Sequence, residues 1–273
     1  MTDESSDPVA GSGIDTTVPH SARIWNYWLG GKDNYAVDRA AGDEYAAVQP
    51  EIVVIARESR AFLRRSLQHL AGEVGIRQFL DVGTGLPTAD NTHEVAQRIA
   101  PESRVVYVDN DPLVLAHARA LLTGAAQGST RYLHADMHDA DGLIEGASEI
   151  LDLSRPVGVY LLGVLGHIAD LDEARYLVRG LMDRVPSGSY LTLCDGTRSE
   201  DMASSKAEEA YADTGAVPYR SRAPEEIASF FDGLEWVEPG FVSVPLWRPD
   251  DLKSRNGVPP TPLDHFGGVA RKP

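Results

Sequence analysis

Residues 78–88 read Gln78-Phe-Leu-Asp-Val-Gly-Thr-Gly-Leu-Pro-Thr88, and this stretch decides the fold. Gln78 to Val82 is a short apolar strand with an acid near its end, and Gly83-Thr-Gly-Leu-Pro87 follows as a tight turn. Gly83 and Gly85 carry no Cβ, so the chain can bend sharply there and approach a ligand closely. A turn of this kind also serves dinucleotide enzymes, or serves only to reverse the chain. Two features bear on that choice. Asp81 precedes the first glycine by two positions, and Thr88 stands where the dinucleotide pattern GxGxxG places its third glycine. A carboxylate at this point suits a ligand bearing an ammonium and a sulfonium better than one bearing phosphate.

Outward from this turn, strands alternate with helices. Arg104 to Val108 is β-branched and ends in Asp109, Arg131 to His134 leads into Ala135-Asp136, and Val157 to Leu162 and Tyr190 to Cys194 are two further strands. Leu234 to Val237 and Phe241 to Leu246 are two closing strands, read as antiparallel neighbours across Pro239-Gly240. Helices are expected at Thr92 to Ile99, from Asp111-Pro112, at Leu171 to Val185 and at Glu225 to Phe231. The pattern predicts an α/β fold with a doubly wound, mostly parallel, seven-stranded sheet, which binds ligands at the carboxyl ends of its strands.

Upstream of Arg77 the texture is helical. Residues 1–13 are polar and acidic and read as a disordered tail, residues 14–75 as an N-terminal helical extension, and residues 76–273 as the α/β domain. Ser21 is placed to cap a short helix carrying Ile24, Trp25, Trp28 and Leu29, which Gly30 and Gly31 end. A second helix is expected from Val37 to Val48 and a third from Ile52 to Leu70. On the third, Arg57, Arg60 and Arg64 share one face and read as solvated. The acidic, serine-rich stretch from Ser199 to Thr214 reads either as a helix beside the ligand pocket or as a surface insert.

Composition narrows the function classes. The formal net charge is −16, from 41 acidic against 25 basic side chains, which disfavours a nucleic-acid partner. Cys194 is the only cysteine, so no intrachain disulfide forms, and no HExxH or Cys/His cluster marks a metal site. The N-terminus lacks the pattern of a signal peptide and no apolar run reaches the roughly 20 residues of a membrane span, so a cytoplasmic protein without a membrane partner is expected.

The strand-end acids carry the chemistry. Asp109 can accept hydrogen bonds from both hydroxyls of a ribose, whether of a nicotinamide or of a sulfonium cofactor. Asp136 can accept from the exocyclic amine of adenine, with Met137 packed on the ring face. Singly, each acid also reads as a cap or turn residue.

The segments DVGTG, VVYVDNDP and YLHADMHD, in this order and spacing, resemble the first three motifs of class I S-adenosylmethionine (SAM) methyltransferases. VGVYLLGVLGHIAD is similar to the fourth-strand region of small-molecule methyltransferases. ARIWNYWLGGKDNYAVDR with DVGTGLPT resembles one bacterial family of SAM methyltransferase-like proteins whose substrates are largely unassigned. The resemblance implies that Gly83, Thr84 and Gly85 line the methionine part of SAM and that Asp81 holds its amino group. It implies that Asp109 with Asn110 binds the ribose, Asp136 with Met137 the adenine, and that Leu162 and Gly163 flank the sulfonium. It also implies S-adenosylhomocysteine (SAH) as product and a small-molecule acceptor. Pro87 departs from the common first motif and predicts an altered loop shape.

The extension is read as a lid. Arg23 and Tyr27 share a helical face, and Lys32 and Asn34 follow in a glycine-flanked loop. Lys32 or Arg23 is expected to meet the SAM carboxylate and Asn34 its backbone-like end, while the aromatics pack the extension on the sheet. His167 is the one candidate base. A non-catalytic SAM- or SAH-binding protein and an NAD(P)-dependent oxidoreductase are the alternatives to a methyltransferase.

Overall fold

A computed structural model describes residues 15–88, 90–111, 114, 128–198, 203–251, 257 and 259–273. Its centre is a sheet in the order β3-β2-β1-β4-β5-β8-β6, with β7 beside β6 on the far edge of β8. The strands are β1 (Gln78–Val82), β2 (Arg104–Asp109), β3 (Ser129–His134), β4 (Gly158–Leu162), β5 (Tyr190–Gly196), β6 (Glu235–Trp236), β7 (Val242–Ser243) and β8 (His265–Arg271). The first five are parallel, so their carboxyl ends share one rim of the sheet. β1 pairs with β2 on one side and β4 on the other, which makes the β1/β4 boundary the point where the chain reverses its direction of winding.

Both faces of the sheet are covered, as a parallel sheet requires. The alternating side chains of β1 sort between them. Leu80 and Val82 join Val106, Val108, Leu161 and Leu193 on the face covered by α5 (Ala140–Ser148), α6 (Leu171–Asp183) and α8 (Pro224–Ala228). Phe79 joins Val105, Tyr107 and Tyr160 on the face covered by α3 (Ile52–Leu67) and α4 (Thr92–Ile99). Asp81 shares the side of Phe79 and therefore turns toward α3.

The extension is helical as expected. α1 (Ser21–Trp28), α2 (Ala36–Val48) and α3 pack with α7 (Ala203–Asp213) around Ile24, Trp28, Tyr45, Ile55 and Tyr211. His20, not Ser21, caps α1, its ring nitrogen accepting from the Ala22 amide at 3.3 Å, and Ser21 is the first helical residue. Gly30 ends the helix in the left-handed conformation, φ +80°. α3 runs on through a π-helical turn, Gln68–Val74. The segment from Ser199 is thus a helix from Ala203 to Asp213. The tail expected at residues 1–13 lies outside the described residues, as does most of the helix expected from Asp111-Pro112.

Two corrections concern the sheet. The segments at Leu234 to Val237 and Phe241 to Leu246 are two-residue strands that do not pair with each other. Both lie antiparallel to β8, and Val244–Leu246 is a 3-10 turn. β8 itself was not expected, because Gly267 and Gly268 sit in its middle. Strand glycines mark close backbone approach, and a Cβ on Gly267 would lie 2.3 Å from the Leu193 carbonyl oxygen and 2.5 Å from the Cys194 Cβ. A helix, α5, lies between β3 and β4, where none is expected from the sequence.

Glycine substitutions test this packing with opposite signs. Gly267→Ala is expected to lower the unfolding free energy by about 3 kcal/mol or to prevent folding, since backbone must give way. Gly180→Ala, inside α6 with only the tip of Arg184 within 3.5 Å of the new methyl, is expected to raise it by up to about 1 kcal/mol. Urea denaturation of both variants reads the result.

Candidate functional site

The strand rim opens into a cavity of about 330 Å³, within the range of small-molecule sites. It lies at the β1/β4 boundary. After β1 the chain turns with Gly83 at φ +71° and Gly85 at φ +64°, a region that side-chain-bearing residues rarely adopt. The Gly83 position has a second constraint: a Cβ there would come within 2.5 Å of the Val164 side chain, which follows β4. The loops after β1 and β4 are therefore in contact, and only glycine allows it.

Asp109, at the end of β2, ties this turn down. One carboxylate oxygen accepts from the Gly85 amide at 2.7 Å and the other from the Asp111 amide at 2.9 Å. Each oxygen keeps a lone pair for a further donor. Burial pushes its pKa up. Asp81 accepts from the Thr92 hydroxyl at 2.6 Å and more weakly from Thr84 at 3.5 Å. Burial pushes its carboxyl up to about 6, while Thr92 and the Arg60 charge pull it down. Asp136 is exposed at the cavity mouth, and a hydrogen bond from the His138 backbone holds its pKa down.

Eleven of the residues named from the sequence line this one cavity. Asp81, Gly83, Thr84, Gly85, Asp109 and Asn110 come from the β1 and β2 ends, and Asp136, Met137, Leu162, Gly163 and His167 from the β3 and β4 ends. His167 sits in a 3-10 turn, Leu165–His167. Its Nδ1 faces the Pro218 carbonyl at 2.9 Å, so Nδ1 carries the proton and Nε2 keeps its lone pair. Burial lowers its pKa, which keeps the ring neutral at pH 7. Arg222, itself buried, holds the turn by donating to the carbonyls of Leu165 (2.7 Å) and Ile168. Tyr219 packs edge to face on the His167 ring at 5.2 Å.

Arg23, Tyr27, Lys32 and Asn34 do not line the cavity, and their geometry gives the reason. Arg23 pairs with buried Asp38 at 3.3 Å and donates to the backbone oxygens of Asp15 (2.9 Å) and Val18 (2.6 Å). Asp38 also accepts from the His20 and Tyr35 amides at 2.9 and 2.8 Å, so the group fastens α1 to α2. Tyr27 donates to Asp43 at 2.7 Å. Asn34 bonds Gly31 in its own loop and Asn26 and Arg39 on the flanking helices. Lys32 is exposed. The extension reaches the cavity through other residues, among them His20, Ser21 and Ala22 at the start of α1 and side chains of α2 and α3.

Sequence reasoning also missed Arg60. It was read as part of a solvated face, yet it lines the cavity, and burial lowers its pKa although Asp81 opposes this. Its Nε is fully enclosed and has no hydrogen-bond partner. Its neighbours are satisfied differently: Arg64 pairs with Asp250 at 3.1 Å, and Arg65 donates to the Trp247 and Val244 carbonyls at 2.9 and 2.7 Å. No spacing in the sequence separates these three fates.

Comparison with known proteins gives the family. Residues 8–273 match the family model described as S-adenosyl methyltransferase. The crystal structure of a DUF574 family protein from Streptomyces avermitilis MA-4680 is 44% identical, with a TM-score of 0.89 over 95% of this chain and 99% of that one. That of a candidate methyltransferase from Thermobifida fusca YX is 37% identical, with a TM-score of 0.87 over 98% of this chain and 99% of that one. The plantazolicin methyltransferase BpumL, crystallised with a triazolic desmethylPZN analogue and SAH, shares the fold at 10% identity, with a TM-score of 0.53 over 92% of this chain and 95% of that one. No curated protein matches the sequence.

The division of the N-terminal polar residues predicts two distinct phenotypes. Lys32→Ala is expected to leave both the unfolding midpoint and SAH affinity unchanged within about twofold, being exposed and outside the cavity. Arg23→Met is expected to lower stability by about 3 kcal/mol, because it leaves the buried Asp38 charge without its partner. Thermal unfolding and calorimetric titration of each variant separate the two effects.

Proposed function

The chain belongs to the S-adenosyl methyltransferase family and is a SAM-dependent methyltransferase, and on that premise we propose that it methylates a small-molecule acceptor, with SAM held by the strand-end residues. The observation that carries the assignment is that Arg60 and Asp81, opposite in charge and not hydrogen-bonded to each other, line the same cavity. A guanidinium whose enclosed Nε has no hydrogen-bond partner among the described residues and a carboxylate raised by burial face the same space. A zwitterionic amino acid complements both: its carboxylate meets Arg60 and its ammonium meets Asp81. Arg60 thus takes the part expected of Lys32 or Arg23.

The other contacts follow from position. The Gly83–Gly85 turn lets the ligand lie close to the backbone. The free lone pairs of Asp109 suit ribose hydroxyls, with Asn110 beside them. Asp136 keeps an oxygen for the adenine amine, and buried Met137 lies next to it. Leu162 and Gly163 border the reacting carbon.

When bound, SAM supplies a methyl group already activated by its sulfonium, so no protein nucleophile is required. The chain's contribution is to align donor and acceptor and to exclude water. His167 offers a neutral Nε2 at the end of β4, where it can take the proton of an acceptor that must lose one. With a cavity on an acidic surface, nucleic acid is not the acceptor we infer. The residues also support the domain reading of a helical extension, 14–75, serving as a wall of the site made by 76–273.

Calorimetric titration with SAH and with methylthioadenosine, which lacks the amino-acid moiety, tests the arrangement. Arg60→Met is expected to weaken SAH by about 100-fold, the worth of a lost charge-assisted pair, and to leave methylthioadenosine within twofold. Equal losses for both ligands would refute the role of Arg60. The sign of the pH dependence follows from Asp81. Its pKa is about 6 in the free protein, and a facing ammonium lowers it, so binding favours the ionised form. SAH affinity is expected to rise about tenfold between pH 5 and pH 7. Asp81→Asn flattens this rise.

A further inference from the structure

The cavity continues past the strand ends into the extension, and there its wall changes character. Trp25 and Trp28 meet at 5.8 Å, Trp28 and Tyr45 at 5.4 Å, and Tyr45 and Tyr211 at 6.1 Å, so four rings from α1, α2 and α7 run in sequence along it. Ile52 and Ile55 of α3 supply an apolar surface on the same space. Protein interiors leave few voids wider than a water molecule. Trp28, Tyr45 and Tyr211 are only 8%, 7% and 5% exposed, yet they border open volume. Rings so placed form the wall of a subsite as well as the core of the extension.

The hydroxyls of this wall give it a polar end. Elsewhere in the chain the hydroxyls of Tyr27, Tyr107, Tyr160 and Tyr219 all bond to protein groups. Those of Tyr45 and Tyr211 bond to none of the described residues, and neither oxygen is among the fully enclosed, unpartnered ones, which leaves both open to the cavity. Burial raises the pKa of both, so both stay protonated and able to donate. Among the described lining residues Arg60 is the only Lys or Arg, and it stands with Asp81 at the cofactor end. The aromatic end therefore offers ring faces, aliphatic contacts and two phenol donors, and no cation for an anionic group.

Resting on the methyltransferase reading above, we propose that this aromatic chamber is the acceptor subsite and that it takes an uncharged, planar, hydroxylated aromatic molecule. An oxygen at the far end of the acceptor receives hydrogen bonds from Tyr45 and Tyr211. The methyl-accepting hydroxyl lies at the other end, toward the β4 loop and His167. In the step itself the bond between sulfur and methyl carbon breaks with its electron pair going to sulfur, which leaves SAH as a neutral thioether. A new bond forms between the acceptor oxygen and that carbon, giving a methyl ether. The hydroxyl proton passes to Nε2 of His167 and then to solvent.

The test uses the SAH-saturated protein and three ligands sharing one ring system: a dihydroxynaphthalene, a naphthoate and a naphthylmethylammonium. Titration followed by tryptophan fluorescence reads their affinities for the wild type and for the double variant Tyr45→Phe, Tyr211→Phe. The dihydroxynaphthalene is expected to bind tightest, to weaken about tenfold or more in the double variant, and to accept labelled methyl from SAM. SAH affinity is expected to stay within twofold in that variant. Preference for the charged ligands, equal binding to the double variant, or no binding by any of the three overturns the proposal. Failure of the wild type to bind SAH refutes the cofactor arrangement instead, so the two failures are told apart.

Discussion

The site depends on one close contact, between the turn after β1 and the loop after β4. Gly83 passes so near Val164 that no Cβ fits between them. Parallel pairing fixes β1 and β4 side by side, and the contact then draws their following loops together over the crevice at the rim. The Asp109 carboxylate adds β2 to this arrangement by accepting from the amides of both Gly85 and Asp111. Two glycines and one acid thus shape a pocket floor from three strand ends. The floor consists mainly of backbone, so its geometry is set by the sheet and not by side-chain rotamers.

The strand-end pattern was legible in the sequence because it is local. A strand and the turn that follows it are a few residues apart, and positive-φ turns need glycine. β1, β4 and the acids at their rim could be placed on that ground alone. β8 could not, because its glycines answer to Leu193, Cys194 and Gly240, which are distant in sequence. Strand propensity carries no term for a neighbouring backbone so close that a Cβ on Gly267 would lie 2.3 Å from its carbonyl oxygen. The arginines of α3 failed for the same reason. Helical spacing shows which side chains share a face, but whether that face meets solvent, Asp250 or a cavity is decided by tertiary packing.

The extension shows how a polar sequence can build a wall for an apolar chamber. Several of its polar side chains are used internally. Arg23, Asp38 and the His20 amide lock α1 against α2, and the Asn26 side chain organises the Gly31–Asn34 loop by accepting from the Asp33 amide at 3.1 Å and the Asn34 amide group at 3.0 Å. The Arg23 guanidinium of this lid is not available to the ligand, because satisfying Asp38 requires it. What α1 presents to the cavity is its first turn and its aromatic face.

The electrostatics of the cavity follow from the same division. A protein with a net charge of −16 repels anions at its surface, so an anionic group bound inside needs a dedicated, desolvated cation. Arg60 is placed for one such group, next to an acid whose charge is costly to bury alone. A zwitterion bound between them neutralises both at once, and neither residue needs to move. That leaves the aromatic end without charge to offer. In the proposed arrangement cofactor and acceptor are therefore sorted by polarity, the zwitterion at Arg60 and Asp81 and the uncharged ring beyond it, with the reacting carbon at the boundary beside Leu162 and Gly163.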